Sequence, residues 1–369
     1  MTTLAGRHVV TPEGVLSPGV VELDGDHIGA VSATTGLVPD RTLVPGLVDL
    51  QVNGVDDIDV ASARGADWDR LDGLLLAQGV TTWCPTLVTA PLDRYAEPLA
   101  RIAEAADRPG DRGSPRPSIA GAHLEGPFLG GKPGAHPTDL IIEPDLAWLA
   151  ELPDIVRMVT LAPEAPLAAE AIALLCARKV LVSLGHSSAS FEQATDGVDA
   201  GARLVTHGFN GMSGLNHREP GMVGAALTDD RVAVSLIADG VHVHPAALTV
   251  AFRCKPRGRV VLVTDAVAWR GDHVGAAGIT NDGTAARLED GTLAGAVIGL
   301  DEAVGNVVRR SGVPLEVAVF AAATAPADLL GLSDRGRLER GARADVVALD
   351  DEFRCRGAWV VGQPTGECF

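Results

Sequence analysis

Six short stretches of this 369-residue chain place a carboxylate, an imidazole or an amide directly after an apolar run. They are Asp49-Leu50-Gln51-Val52-Asn53-Gly54, His123-Leu124-Glu125-Gly126-Pro127, Gly185-His186-Ser187, Thr206-His207-Gly208-Phe209-Asn210, Asp239-Gly240-Val241-His242 and Thr264-Asp265-Ala266. One carboxylate and two imidazoles make a usual catalytic zinc set, because three protein ligands leave a position open for water. Glu125, His186 and His207 form such a set if their strand ends converge. A further carboxylate at Asp265 could hydrogen-bond that water and take its proton. A single histidine at a strand end is ordinarily a structural hydrogen-bonding group, so the set carries the reading and no member carries it alone. His123 precedes Glu125 by two residues and on a strand faces the same side. It is a ligand or a support, and support is the favoured role. His8, His27 and His273 fall outside the pattern and read as surface residues; His244 falls in loop-like sequence and receives no role.

These stretches need a scaffold that collects strand ends on one face. Eight apolar runs recur along the chain: Val44–Leu50, Val80–Cys84, Ile119–His123, Val156–Leu161, Val180–Leu184, Ala202–Thr206, Val232–Ile237 and Val260–Thr264. Helix-like patterns lie between them, such as DWDRLDGLLLAQG and LAAEAIALLCARK. Eight β-then-α units predict an α/β fold, a (β/α)8 TIM-like barrel, whose active site lies at the C-terminal ends of its strands. A doubly wound open sheet is the alternative, but no G-x-G-x-x-G turn follows the first strand. Both chain ends have a different rhythm. Val20–Leu23 and Ile28–Val31 flank the turn Asp24-Gly25-Asp26-His27, and residues 344–349 and 358–361 are apolar strands around a polar turn. The expected organisation is a small β-sandwich domain from residues 1–44 and 336–369, and a barrel over 45–335.

Composition restricts the partners. The formal net charge is −18, which argues against nucleic acid or an anionic membrane. No apolar run approaches the roughly 20 residues that span a bilayer. The N-terminal MTTLAGRHVVTPEG lacks the apolar core of a signal peptide. The cysteines, Cys84, Cys176, Cys254, Cys355 and Cys368, are five in number, scattered and without a C-x-x-C pair. They read as reduced thiols of a cytoplasmic protein.

The motifs PGLVDLQVNG, HLEGPF, GHSSAS, THGFNGM, HREPG, DGVH, TDA and DGTLAG resemble those of the N-acetylglucosamine-6-phosphate deacetylase family of the amidohydrolase superfamily, over essentially the whole chain. HLEGP combined with REPG and DG-x-H is specific to that family. The resemblance implies roles by position. Glu125, His186 and His207 match metal ligands, and Asp265 matches the general base and acid. His136, in GKPGAH, matches a histidine that contacts the substrate carbonyl. Asn210 and Gly211 match contacts to the sugar, Arg218 and His242 match substrate anchors with the arginine on phosphate, and Leu293, Ala294 and Gly295 match a loop lining the sugar.

Four positions depart from the pattern. Many amidohydrolases end strand one in H-x-H and bind a second metal there, whereas this chain has Gln51-Val52-Asn53. Neutral amides are poor ligands beside imidazole or carboxylate. One divalent metal per chain is therefore expected; zinc fits the ligands best, with Fe2+ or Mn2+ as alternatives. Gly211 stands where the family often has alanine, and Ala296 replaces the usual serine after the LAG loop. The implied activity is hydrolytic removal of acetate from N-acetylglucosamine 6-phosphate, a small phosphorylated amino sugar, by a homodimer. The alternatives are the N-acetylgalactosamine 6-phosphate reaction, another amidohydrolase acting on a small amide, and a non-catalytic sugar-phosphate sensor. The last would be expected to lack a ligand or the base, and this chain has all four residues.

Overall fold

The computed structural model describes residues 2–110, 115–275 and 277–366, so Cys368 lies outside the described residues. Eight parallel strands run in chain order around the barrel: β1 (Leu47–Val52), β2 (Val80–Val88), β3 (Ala122–Glu125), β4 (Val156–Leu161), β5 (Leu181–Leu184), β6 (Leu204–Val205), β7 (Ala233–Leu236) and β8 (Val260–Leu262). Each pairs in parallel with the next. Every residue of β1 is buried, as expected of a barrel strand covered on both faces. β8 returns to β1 through individual contacts beyond its own end. The Asp265 backbone N–H donates to the Gln51 carbonyl (3.0 Å), and that of Asn53 donates to the Ala266 carbonyl (2.8 Å). The Thr264 hydroxyl donates to the buried Asp49 carboxylate (2.6 Å). Closure of the barrel and placement of Asp265 are thus the same set of contacts.

A helix follows each strand. α1 (Asp67–Leu76) buries Trp68, Leu71, Asp72, Leu75 and Leu76, one stripe at helical spacing, and opens with Asp67 and Asp69 at its positive end. α2 (Ala96–Ala106), α3 (Leu146–Ala150) and α4 (Ala168–Ala177) follow β2, β3 and β4. α5 (Phe191–Ala200) starts from Ser190, which forms a reciprocal capping box with Gln193. α6 (Gly221–Thr228), α7 (Pro245–Cys254) and α8 (Leu300–Ser311) complete the set. His244 caps α7 by accepting from the Ala246 backbone N–H, which gives this histidine a structural role.

The chain ends build the expected second layer. One sheet has the order Gln363–Pro364, Cys355–Val360, Val346–Leu349, Thr42–Pro45, His8–Thr11, Gly14–Leu16. A second contains Thr2–Gly6, Gly19–Asp24 and His27–Ala33. Val9, Val21, Leu23, Ile28, Leu43, Val346 and Trp359 share one core between them.

Two strands begin well after their expected starts. Val44 belongs to Thr42–Pro45 of the terminal sheet, and the barrel strand begins only at Leu47. Gly46 makes the crossing: a Cβ there would lie 2.1 Å from Thr81 Oγ1 and 2.9 Å from Asp345 Cβ, so only glycine passes between the two layers. Ile119 lies in a short separate strand, Ser118–Ile119, and Gly121, at φ +141°, breaks the run so that β3 starts at Ala122 and extends to Glu125.

A further departure lies between β8 and α8. Two antiparallel ribbons, His273–Val274 with Ala277–Gly278 and Thr280–Asn281 with Ala286–Arg287, form an insert with its own apolar core of Val267, Val274, Ile279, Ala286 and Ala294. Ala135, from the segment after β3, packs against that core.

Candidate active site

The strand ends converge on a cavity of about 320 Å3. Its lining includes Glu125, His136, His186, His207, Asn210, Gly211, His242, Asp265, Leu293, Ala294 and Gly295. Every predicted site residue is present there except Arg218, which is exposed on the loop after β6 and has no hydrogen bond or ion pair among the described residues. No lysine or arginine lines the cavity among the described residues.

At the floor of the cavity, Nε2 of His186 and Nε2 of His207 lie 3.1 and 3.0 Å from the same Glu125 oxygen, and 3.0 Å from each other. All three side chains are buried. Two imidazole nitrogens aimed at one carboxylate oxygen need a shared proton or a cation, and this nitrogen and oxygen set suits a borderline divalent ion such as zinc. His136 is close by: ligand atoms of Glu125, His136 and His186 all lie within 4.8 Å of one another. Its Nε2 is 4.0 Å from Glu125 Oε2, however, against 3.0 Å from His207 Nε2 to Glu125 Oε1, so His207 lies closer to the carboxylate.

Burial disfavours ionisation of Glu125, but hydrogen bonds from His186 and His207 hold its pKa well below the usual carboxylate range. Burial likewise opposes protonation of His207, yet the hydrogen bond and charge of Glu125 outweigh it and raise the pKa. His136 is driven down to about 3, chiefly by burial and then by the neighbouring His186, and is neutral at physiological pH. The Thr89 backbone N–H donates to His136 Nδ1 (3.4 Å), which makes Nδ1 an acceptor and leaves the ring proton on Nε2, facing the cavity. Asp265 is raised to about 6, first by burial and then by the Glu125 charge.

Two amides stand at the end of β1. Gln51 Nε2 donates to Glu125 Oε1 (3.0 Å), and Gln51 Oε1 accepts from the Thr206 hydroxyl (2.8 Å). Asn53 Nδ2 donates to Asp265 Oδ1 (2.8 Å). Both amides therefore steady carboxylates. His123 is fully buried, and its two ring nitrogens lie within hydrogen-bond distance of the Thr160 (2.8 Å) and Thr86 (3.3 Å) hydroxyls. His242 Nδ1 pairs with Asp239 (2.6 Å).

Several of these residues sit in left-handed backbone: His186 at φ +50°, His207 at +29°, Phe209 at +78° and Asp265 at +51°. Non-glycine residues adopt that region at a cost that surrounding structure must offset, and such outliers gather at functional sites. Sequence reading missed Thr89 and the supporting role of Asn53, since a threonine and an asparagine carry no spacing signal that separates them from ordinary strand-end residues. It also missed Val274 and Thr292, which bring the insert into the cavity wall.

A parallel eight-stranded barrel with a carboxylate, two imidazoles and a separate buried carboxylate at its strand ends defines a metal-dependent barrel hydrolase. The chain belongs to the amidohydrolase family, whose model matches residues 42–367. It is 38% identical over 374 residues to N-acetylgalactosamine-6-phosphate deacetylase of Escherichia coli O157:H7, covering 98% of each chain. It is 40% identical over 345 residues to N-acetylglucosamine-6-phosphate deacetylase of Bos taurus, covering 87% of this chain and 82% of the relative. The structure superposes on N-acetylglucosamine-6-phosphate deacetylase from Thermotoga maritima with a TM-score of 0.91 at 31% identity, over 99% of both chains. A mutant of the Mycobacterium smegmatis enzyme in complex with N-acetyl-D-glucosamine-6-phosphate gives 0.91 at 32% identity, again over 99% of both.

Proposed function

We propose that this protein hydrolyses N-acetylglucosamine 6-phosphate to glucosamine 6-phosphate and acetate. The observation that carries the reading is the meeting of His186 Nε2 and His207 Nε2 on one Glu125 oxygen, with Asp265 and His136 beside them in the same cavity. Relatives that deacetylate phosphorylated amino sugars, similar along nearly the whole chain, supply the substrate class.

Glu125, His186 and His207 would hold one divalent ion, with zinc the best fit, which when bound supplies Lewis acidity to the attacking water and the acetyl carbonyl. Asp265 is assigned as the base that takes the proton of that water and returns it to the leaving sugar nitrogen. Its one oxygen is occupied by Asn53, which supports the other as the proton-carrying atom. His136, neutral with its proton on Nε2, donates to the carbonyl oxygen as negative charge develops there. Asn210, Gly211, His242 and the Leu293–Gly295 segment contact the sugar. Arg218, which has no ion pair among the described residues, anchors the phosphate from the loop above. No lysine or arginine stands among the described lining residues, which in a chain of net charge −18 supports a cationic anchor reaching in from outside the cavity. We further propose a cytoplasmic homodimer; Cys84, Cys176, Cys254 and Cys355 are free thiols, and no helix among the described residues is long and apolar enough to cross a membrane.

The test is acetate release from N-acetylglucosamine 6-phosphate and from its galacto epimer, side by side. The proposal predicts the higher kcat/KM for the gluco sugar. A preference for the galacto sugar would move the protein to the first alternative, and acetate from neither would reject the function.

A further inference from the structure

The end of β4 supplies none of the proposed metal ligands, base or substrate contacts, yet the third residue beyond it makes four polar contacts beside the site. Glu164 follows β4 as Ala162-Pro163-Glu164. Its Oε2 accepts from the Ser187 hydroxyl at 2.5 Å. Its Oε1 accepts from the Ser188 backbone N–H at 2.6 Å, the Ser188 hydroxyl at 3.3 Å and the Gly131 backbone N–H at 3.3 Å. Ser187 and Ser188 directly follow His186. Gly131 begins the stretch that runs through Lys132 to His136. One carboxylate therefore ties together the two loops that carry His186 and His136.

Those loops are also joined around His186 itself. The Gly130 backbone N–H donates to the His186 carbonyl (2.8 Å), and the Lys132 carbonyl lies 3.3 Å from His186 Nδ1. In the second contact Nδ1 donates its proton to the Lys132 carbonyl, which fixes the ring with Nε2 turned toward Glu125. The sequence is shaped to let the Glu164 carboxylate in. A Cβ on Gly130 would lie 2.2 Å from Glu164 Oε1, and a Cβ on Gly131 would lie 2.3 Å from Ser188 Oγ. Neither glycine has a left-handed φ, so close approach and not backbone conformation accounts for both.

We infer that Glu164 is a positioning residue that clamps the His186 and His136 loops, fixing His186 in its metal-binding orientation and His136 over the substrate carbonyl. Without it, Gly131 and Lys132 lose their tether, the Lys132 carbonyl no longer holds Nδ1 of His186, and Ser187 and Ser188 lose the acceptor that fixes the backbone after the ligand. This inference rests on the metal site proposed above.

The test is zinc affinity of the full-length enzyme, read by competition with a chromogenic chelator, alongside the thermal midpoint of the metal-free protein. Removing a group that orients a metal ligand typically weakens binding about 10–100-fold, so Glu164→Ala is expected to lose zinc affinity in that range and to keep a reduced kcat even at saturating zinc. Glu164→Gln keeps an oxygen for the Gly131 and Ser188 N–H groups and is expected to restore most of the affinity. Gly130→Ala, which displaces the carboxylate from the other side, should weaken zinc binding in the same direction. Parent zinc affinity in Glu164→Ala or Gly130→Ala, with only the metal-free midpoint lowered, would overturn the clamp and leave Glu164 a purely structural residue. His186→Ala separates the two readings: it should abolish tight zinc binding, and parent affinity there would refute the metal site itself, and the clamp with it.

Discussion

Asp265 shows how much a single position can be asked to do. It closes the barrel through its backbone, lies buried at the cavity wall, and has one oxygen held by Asn53. Asp265→Asn keeps size and burial but removes the atom that accepts a proton. We expect it to retain metal content and lose about 10²–10⁴-fold in kcat, the usual range for a lost general acid–base. Near-parent kcat would show that some other group takes the proton. Arg218 makes a contrasting case, because it stands outside the cavity on an exposed loop. If it anchors phosphate through a bidentate contact, Arg218→Ala should cost about 2–4 kcal/mol in kcat/KM for the phosphorylated sugar and far less for unphosphorylated N-acetylglucosamine. Measuring both sugars on both proteins isolates the phosphate contribution, and equal losses for the two would assign Arg218 a structural role. At this scale the sequence was informative wherever chemistry required a charged or imidazole group after an apolar run. It was silent about Thr89, Asn53 and Glu164, whose roles depend on which loops the fold brings side by side, and about the left-handed backbone at His186, His207 and Asp265.

Among the elements, the seam between β1 and β8 couples fold and site. Asp49 is fully buried there, and its carboxylate accepts from the Gln51 and Thr264 backbone N–H groups and the Thr264 hydroxyl. Burial raises its pKa to about 7 despite those hydrogen bonds. The sign of the linkage follows. A carboxyl whose folded pKa lies above its unfolded value of about 3.9 is held more easily as the neutral acid, so its contribution to stability is fully present below about pH 4 and is lost as pH rises to about 7. Asp49→Asn keeps a neutral hydrogen-bonding group at the seam. The parent protein should therefore lose thermal midpoint relative to Asp49→Asn between pH 5 and pH 8, and a difference independent of pH across that window would contradict the assignment. The eight β-then-α units were legible because buried parallel strands are short apolar runs. Their exact starts were not: Gly46 and Gly121 move two of them, for reasons of packing between layers and of backbone conformation that hydrophobicity does not record. The ribbon insert after β8 escaped detection because its strands are two residues each and its core is only a few side chains.

For the molecule as a whole, net charge and site chemistry pull in opposite directions. A chain of −18 repels an anionic sugar at long range, and a cavity without lysine or arginine among its described lining residues offers no opposing field of its own. Affinity must then come from short-range contacts, which places weight on Arg218 and on the metal. The central claim is that one ion held by Glu125, His186 and His207 suffices for amide hydrolysis, with Gln51 and Asn53 serving as hydrogen-bond donors to carboxylates where a second ion would otherwise sit. Titrating the metal-free protein with zinc while following acetate release from N-acetylglucosamine 6-phosphate addresses this directly. The account predicts activity that rises in proportion to added zinc and levels off at one equivalent per chain; a plateau reached only at two equivalents, or no acetate at any zinc concentration, would contradict it.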